Sequence, residues 1–79
     1  MGEMEKLLGV LTEVDDEIDF AKETALVDDG LIDSIALTQI IAGLDEAFGI
    51  QIKTGDIEPE NFNNVQAMLE FIRICQARP

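Results

Sequence analysis

Apolar residues recur at helical spacing in three separate stretches of this chain, and that pattern constrains the fold more than any other feature. In the first stretch they fall at the i, i+3, i+4 and i+7 spacing of one helix face. The spacing predicts a helix over residues 3–14. The apolar residues of its face are Met4, Leu7, Leu8, Leu11 and Val14.

A second helix is predicted to begin at Ser34, because the preceding residue, Asp33, is a good N-cap. It should end at Gly49, since glycine tolerates the left-handed conformation of a C-terminal cap. Gly43 inside this helix costs about 1 kcal/mol relative to alanine, which close packing against another element usually explains. The apolar residues of the helix are Ile35, Leu37, Ile40, Ile41, Leu44, Ala47 and Phe48.

The remainder of the chain predicts one short helix and a last long one. Gly55 and Pro59 leave room for a single helical turn over about residues 58–62. Either Asn63 or Asn64 caps the last helix, and Asn63 with Gln66 three residues later fits a capping box. Its apolar residues are Val65, Met68, Leu69, Phe71, Ile72 and Ile74.

The predicted fold class is therefore all-α: a small bundle of three long helices and one short helix. Alternation in "IQIK", residues 50–53, has no second strand to pair with. A long loop, residues 15–33, joins the first two helices, and loops of this length in compact domains tend to be functional or disordered. Its apolar residues, which should pin it to the core, are Ile18, Phe20, Leu26 and Leu31. We expect a core that includes Leu7, Leu8, Leu11, Leu37, Ile41, Leu44, Phe48, Ile52, Phe62, Val65, Met68 and Ile72.

Size and charge limit the function. The 79 residues predict one domain, 1–79, too small for a deep active site. A net charge of -12 argues against nucleic acid and anionic membranes, and it favours basic protein partners. The chain shows neither a signal-peptide pattern nor an apolar run long enough to span a bilayer. We expect a monomeric cytoplasmic protein with no membrane insertion.

The residues available for chemistry exclude several kinds of site. The chain has no histidine and one cysteine, Cys75. An intrachain disulfide, a Cys/His zinc cluster and a histidine-dependent triad are therefore excluded. Cys75 falls in an apolar helical pattern, which is typical of a structural thiol, so no catalytic residue is predicted.

The segment "GLIDSI", residues 30–35, contains the strongest candidate site. The first N–H groups of a helix lack helical partners and form its positive end, where a phosphate group is stabilised. Ser34 would hold its hydroxyl at that end, Gly30 would give the preceding turn freedom, and Ile35 would be exposed for a partner. The alternative is an ordinary helix start in which Asp33 and Ser34 have no further role.

The stretch "DDGLIDSIALTQIIAGLDEAFGIQI", residues 28–52, resembles the central region of the acyl and peptidyl carrier protein family. The later "NNVQAMLEFI", residues 63–72, resembles the last helix of that family. The resemblance implies a four-helix bundle in which a phosphopantetheinyl transferase, using magnesium, moves 4'-phosphopantetheine from coenzyme A onto Ser34. The arm ends in a thiol that holds acyl or aminoacyl groups as thioesters, and the protein itself is not an enzyme.

The resemblance also implies which residues meet partners. Asp33 and Ile35 would help the transferase to recognise the serine, and the docking surface would consist of Leu31, Ile35, Thr38 and Ala42. Loading and processing enzymes would bind through basic patches, which acidic surfaces attract at a high rate. A tethered cargo reaches a high effective concentration at a docked enzyme, so a stand-alone carrier needs no catalytic group.

Two positions depart from the pattern of fatty-acid carriers. Ala36 and Gln39 stand where those carriers usually have acidic residues just after the serine. The departure favours a specialised biosynthetic pathway, such as a D-alanyl-carrier-like system, over housekeeping fatty-acid synthesis. As a further hypothesis, the small residues Ala42, Gly43 and Ala67 leave space for an acyl chain between helices.

Three other functions can be compared with the carrier hypothesis. A calcium loop with Gly30 at its sixth position would need ligands at Ala25, Val27 and Ala36, whose side chains cannot ligate. An acidic helical interaction module without a prosthetic group explains the charge and periodicity but not the Gly-Leu-Ile-Asp-Ser arrangement. An enzyme acting through its own carboxylates fits least, because the acidic residues are spread along solvent faces.

Overall fold

The protein is described by a computed structural model that covers residues 2–78. This part of the chain contains four α-helices, one short 3-10 turn and no strand, which confirms the predicted all-α bundle. The elements are α1 (Glu3–Val14), α2 (Ser34–Phe48), the 3-10 turn (Thr54–Asp56), α3 (Pro59–Phe62) and α4 (Val65–Ala77).

The helix ends follow from their capping residues. The Asp33 side chain accepts a 2.8 Å hydrogen bond from the Ala36 amide at the start of α2. Gly49 ends α2 in the left-handed region with a φ of 63°. The cap of α4 is Asn64, whose side chain accepts from the Ala67 amide at 2.8 Å. The predicted capping box at Asn63 is therefore wrong.

All four α-helices and the long loop contribute to the core, with α1 packed on both α2 and α4 and α3 packed on α4. In α2 the fully buried side chains are Ile40 and Leu44, whereas the predicted Leu37, Ile41 and Phe48 are half-buried. The apolar face of α2 is wider than the part of it that is buried. Periodicity alone therefore does not indicate which of its residues lie at the centre of the buried side. The buried residues are Leu7, Leu11, Phe20, Leu26, Ile32, Ile40, Leu44, Ile52, Phe62, Val65, Met68, Phe71, Ile72 and Cys75.

The long loop between α1 and α2 is tied to this core. Phe20 and Leu26 are buried, as predicted, and they contribute apolar area that holds a segment without regular structure. Ile32 is buried in place of the predicted Leu31, which is 41% exposed. The chain bends at these two residues, and Ile32 rather than Leu31 is the one that enters the core.

The helices α1 and α2 approach each other closely at Gly43. A Cβ atom placed on this glycine would lie 2.7 Å from Cγ1 of Val10 in α1. A Cβ atom essentially never lies so close to another heavy atom in proteins, so a larger residue here would force a shift. Gly43 thus allows the close helix packing that its position inside α2 suggested.

The end of α4 is tied to the segment before α3 by one ion pair. The Arg78 guanidinium donates to both carboxylate oxygens of Asp56, at 2.7 and 2.9 Å. The same carboxylate accepts from the Lys53 amide at 3.1 Å. These donors, the Arg78 hydrogen bonds foremost, lower the pKa of Asp56 to about 2.

Candidate functional site

The site around Ser34 is an exposed turn that leads into the first turn of α2. Ser34 is the first residue of the helix, and its side chain is exposed, as is that of Asp33. Two apolar neighbours are exposed as well, Leu31 at 41% and Ile35 at 71%. The hydroxyl is therefore accessible to a second protein, and apolar surface lies beside it.

The backbone at this helix start has amides available for an anion. Asp33 occupies two of the first four amide groups: its side chain accepts from Ala36 and its carbonyl accepts from Leu37, each at 2.8 Å. The amides of Ser34 and Ile35 have no acceptor within the helix. An anion placed at this helix start would therefore meet the positive end of the α2 dipole through these two amides.

The predicted recognition residues of α2 share one face. Ile35, Thr38 and Ala42 are exposed and lie at the i, i+3 and i+7 spacing that places side chains on one side of a helix. The Thr38 side chain makes a hydrogen bond within α2: its Oγ1 donates to the Ser34 carbonyl oxygen at 2.8 Å. Leu31 and Asp33 in the loop are exposed as well, and they lie within three residues of the serine in sequence.

Hydrogen bonds within the loop set the path of the chain into this turn. Gly30 adopts a φ of 75°, in the region that favours glycine, and its amide donates to the Val27 carbonyl at 3.0 Å. The amides of Leu31 and Ile32 both donate to the Leu26 carbonyl, at 2.9 and 3.1 Å. The turn before Ser34 is thus fastened to a fully buried leucine.

Asn63, one of the two candidate caps of the last helix, binds the long loop instead of capping α4. Its Oδ1 accepts from the amides of Val27 and Asp28, both at 3.0 Å. Its Nδ2 donates to Asp28 Oδ2 at 3.0 Å, and its carbonyl accepts from the Leu26 amide at 2.8 Å. One signal was present in the sequence: of the adjacent Asn63 and Asn64, a single residue can be the N-cap, so the other is available for a different contact.

One of the three small residues considered as space for an acyl chain, Gly43, lines a groove between two helices. Gly43 lines a groove of about 480 Å³ between α1 and α2, together with Val10, Val14 and Ala47 and with Glu13 and Glu46 at its edge. Ala42 and Ala67 are not among its lining residues. Whether the three residues leave space for an acyl chain therefore stays a prediction.

Cys75 lies in the core, 7% exposed, in agreement with a structural thiol. Burial raises the pKa of this thiol. Within residues 2–78, His, Cys, Asp and Glu side chains form no group of three or more that could hold a metal ion. The same part of the chain has no helix with the length and apolarity needed to cross a membrane.

Comparisons with known proteins identify relatives of the whole region. The family model for the phosphopantetheine attachment site matches residues 2–72. The acyl carrier protein of Desulforapulum autotrophicum is 41% identical over 69 residues, which cover 87% of this chain and 80% of that protein. No solved structure matches the chain.

Proposed function

Because the chain belongs to the phosphopantetheine attachment site family, we propose that Ser34 is the residue that carries its 4'-phosphopantetheine. Proteins of this family are carriers rather than catalysts, and they hold the group covalently. Ser34 is the only serine in the chain, and it lies within the matched residues 2–72. Its exposure at the start of α2 is the observation that carries the proposal.

The residues around Ser34 fit the group chemically. Attachment forms a bond between Ser34 Oγ and the phosphorus next to the pantetheine, and it breaks the pyrophosphate bond of coenzyme A. Adenosine bisphosphate leaves, and the hydroxyl proton is released to the transferase or to solvent. Asp33 caps the first turn, and the amides of Ser34 and Ile35, at the positive end of the helix, would stabilise the negative charge of the phosphodiester.

The arm supplies a thiol that forms thioesters, and we propose acyl groups as the cargo. The 41% identity to an acyl carrier protein supports acyl over aminoacyl groups. We further propose a specialised pathway, because Ala36 and Gln39 remain uncharged where fatty-acid carriers usually have acidic residues. Loading the modified protein with panels of acyl and amino acids, followed by mass analysis, tests both statements.

Carriers of this family interact with a phosphopantetheinyl transferase and with biosynthetic enzymes. For this chain we propose that Leu31, Asp33, Ile35, Thr38 and Ala42 form the surface that these partners contact. All five residues are exposed. The net charge of -12 favours partners with basic docking patches, which it attracts over long range, and cytoplasmic enzymes are the proposed partners.

Intact-mass analysis tests the attachment site. The protein is incubated with coenzyme A, magnesium and a broad-specificity transferase. We expect a mass increase of one phosphopantetheinyl group in the wild type and none in Ser34→Ala. Thr24→Ala, which removes an exposed hydroxyl from the long loop, is the matched control and should be modified like the wild type.

The second candidate function is the acidic interaction module without a prosthetic group, which the net charge favours. It predicts that the wild type stays unmodified while a control carrier is converted in the same mixture. It also predicts that cells carrying only the Ser34→Ala variant grow like cells with the wild-type protein. Either result would overturn the assignment of Ser34 as the attachment residue.

A further inference from the structure

We infer that Asn63 is a positioning residue for the attachment site, since it holds the loop that leads into Ser34. The inference rests on the proposed role of Ser34. Asn63 lies between α3, which ends at Phe62, and α4, which begins at Val65. Its side chain therefore connects the junction of α3 and α4 with the loop that precedes α2.

The Asn63 side chain makes contacts that suit an amide and no other group. Its single oxygen accepts from two consecutive backbone amides, those of Val27 and Asp28, at 3.0 Å each. Its nitrogen donates to the Asp28 carboxylate at 3.0 Å. An aspartate at this position would keep the acceptor, lose the donor and face a second carboxylate. Alanine would lose all three bonds.

A chain of hydrogen bonds leads from Asn63 toward the serine. The Asn63 side chain accepts from the Val27 amide, and the Val27 carbonyl accepts from the Gly30 amide at 3.0 Å. Beside it the Asn63 main-chain carbonyl, which any residue would supply, accepts from the Leu26 amide at 2.8 Å. The Leu26 carbonyl then accepts from the amides of Leu31 and Ile32, and Ile32 is two residues from Ser34. Leu26 and Ile32 are 0% and 4% exposed, so the residues that make these bonds are also held by buried side chains.

The loop has no regular structure of its own, so these bonds, together with the buried Phe20, Leu26 and Ile32, hold it in one arrangement. A transferase must meet Ser34, Leu31 and Ile35 in one arrangement. When only a fraction of the molecules is in the competent arrangement, the apparent affinity falls by that fraction. Loss of the Asn63 side chain should therefore raise the KM of the transferase for this protein and leave kcat unchanged.

Steady-state kinetics with the transferase test the inference. For Asn63→Ala we expect kcat/KM to fall about fivefold to tenfold through KM, which corresponds to about 1 to 1.4 kcal/mol. The matched control is Asn64→Ala, which removes the cap of α4 from the adjacent residue. That variant loses stability without touching the loop, so its KM should equal that of the wild type at a temperature where circular dichroism shows both variants folded.

A reciprocal exchange of side chains separates the hydrogen bond from general damage. Asn63→Asp should raise KM, because two carboxylates then face each other. Adding Asp28→Asn restores one amide and one carboxylate with their positions exchanged, and we expect KM to return toward the wild-type value. A double variant that is no better than Asn63→Asp alone contradicts the inference.

Amide hydrogen exchange gives a readout that does not use the transferase. In Asn63→Ala the amides of Val27 and Asp28 should exchange faster, while amides in the middle of α4 should keep their wild-type rates. Unchanged exchange at Val27 and Asp28 overturns the inference. If the wild type accepts no group at all, the proposed function fails. If the wild type is modified and Asn63→Ala has the same kcat/KM, the inference alone fails.

Discussion

At the scale of single residues, Asp56 shows how one carboxylate can hold two parts of the chain together. Arg78 at the end of α4 binds both of its oxygens, and the Lys53 amide binds one of them. The Asp56 side chain is 18% exposed and that of Arg78 is 34% exposed. Partial shielding from solvent and two parallel hydrogen bonds distinguish the Asp56–Arg78 pair from the Lys22–Asp19 pair. The charged atoms of the Lys22–Asp19 pair are exposed to solvent and 4.0 Å apart.

The lowered pKa of Asp56 makes this contact sensitive to acid. Its pKa is about 2 in the folded protein, against 3.8 for an unperturbed aspartate. Because the folded pKa is the lower one, the stabilisation is complete above the unfolded pKa and is lost as the pH falls through the folded pKa. The melting temperature of the wild type should therefore exceed that of Asp56→Asn by a constant amount above about pH 5.

The difference should shrink as the pH is lowered from about 4 to about 2. Thermal melts by circular dichroism at several pH values measure it. Asp19→Asn is the control, since it removes the same charge from a pair at the surface, and its effect should be small at every pH. A difference for Asp56→Asn that persists unchanged to pH 2 contradicts the predicted role.

The role of Asn63 could not be predicted from the residue and its neighbours in sequence. The sequence indicates an asparagine at a helix start, and both Asn63 and Asn64 satisfy that pattern. What decides between them is the position of the loop residues Val27 and Asp28, 36 and 35 positions earlier in the chain. A contact over that distance depends on how the whole chain folds, so local capping rules could not identify it.

At the scale of helices, the bounds of α1 and α2 were predictable because each has strong local signals. Asp33 and Gly49 enclose α2, and apolar spacing defines α1. The buried side of α2 was not predictable in the same way. Its apolar residues cover a wide arc, and the position of α1 and the loop decides that Ile40 and Leu44 are fully buried rather than Leu37 and Ile41.

Two glycines inside helices should respond to alanine with opposite signs. A Cβ on Gly9 in α1 meets nothing within 4 Å, so Gly9→Ala should stabilise the protein by about 0.5–1 kcal/mol through helix propensity. A Cβ on Gly43 would meet Val10 Cγ1 at 2.7 Å. Overpacking of this kind costs about 1–3 kcal/mol, so Gly43→Ala should destabilise the protein or at best leave it unchanged.

Urea unfolding monitored by circular dichroism measures both glycine variants. Adding Val10→Ala to Gly43→Ala should make the glycine replacement less costly than it is in the wild type, because the two sites are in contact. Equal stabilisation by Gly9→Ala and Gly43→Ala would show that α1 and α2 are not as close as the structure places them.

At the scale of the whole molecule, the net charge of -12 opposes the compact state. Monovalent salt screens that repulsion, with a Debye length of about 10 Å at 0.1 M. We therefore expect the melting temperature to rise with sodium chloride between low and physiological concentrations. Each kcal/mol gained should raise it by about 4–8 °C for a domain of this size.

A charge-removing variant provides the control for this salt effect. Glu13 and Glu46 both line the groove between α1 and α2, and Glu46→Gln removes one of these like charges. It should raise the melting temperature at low salt, and its advantage over the wild type should shrink as salt is added. A melting temperature that falls with salt would mean that attractive pairs, rather than repulsion, dominate the surface.

The burial of Cys75 has a consequence for the chemistry of the loaded protein. It is the only cysteine in the chain and is 7% exposed, so the polypeptide offers no accessible thiol of its own beside the one that the proposed arm would carry at Ser34. An acyl group cannot move from the arm to the protein by thiol–thioester exchange, and the arm cannot form a disulfide with the protein's own cysteine. A maleimide dye should accordingly label the modified protein once, at the arm, and leave the native unmodified protein unlabelled.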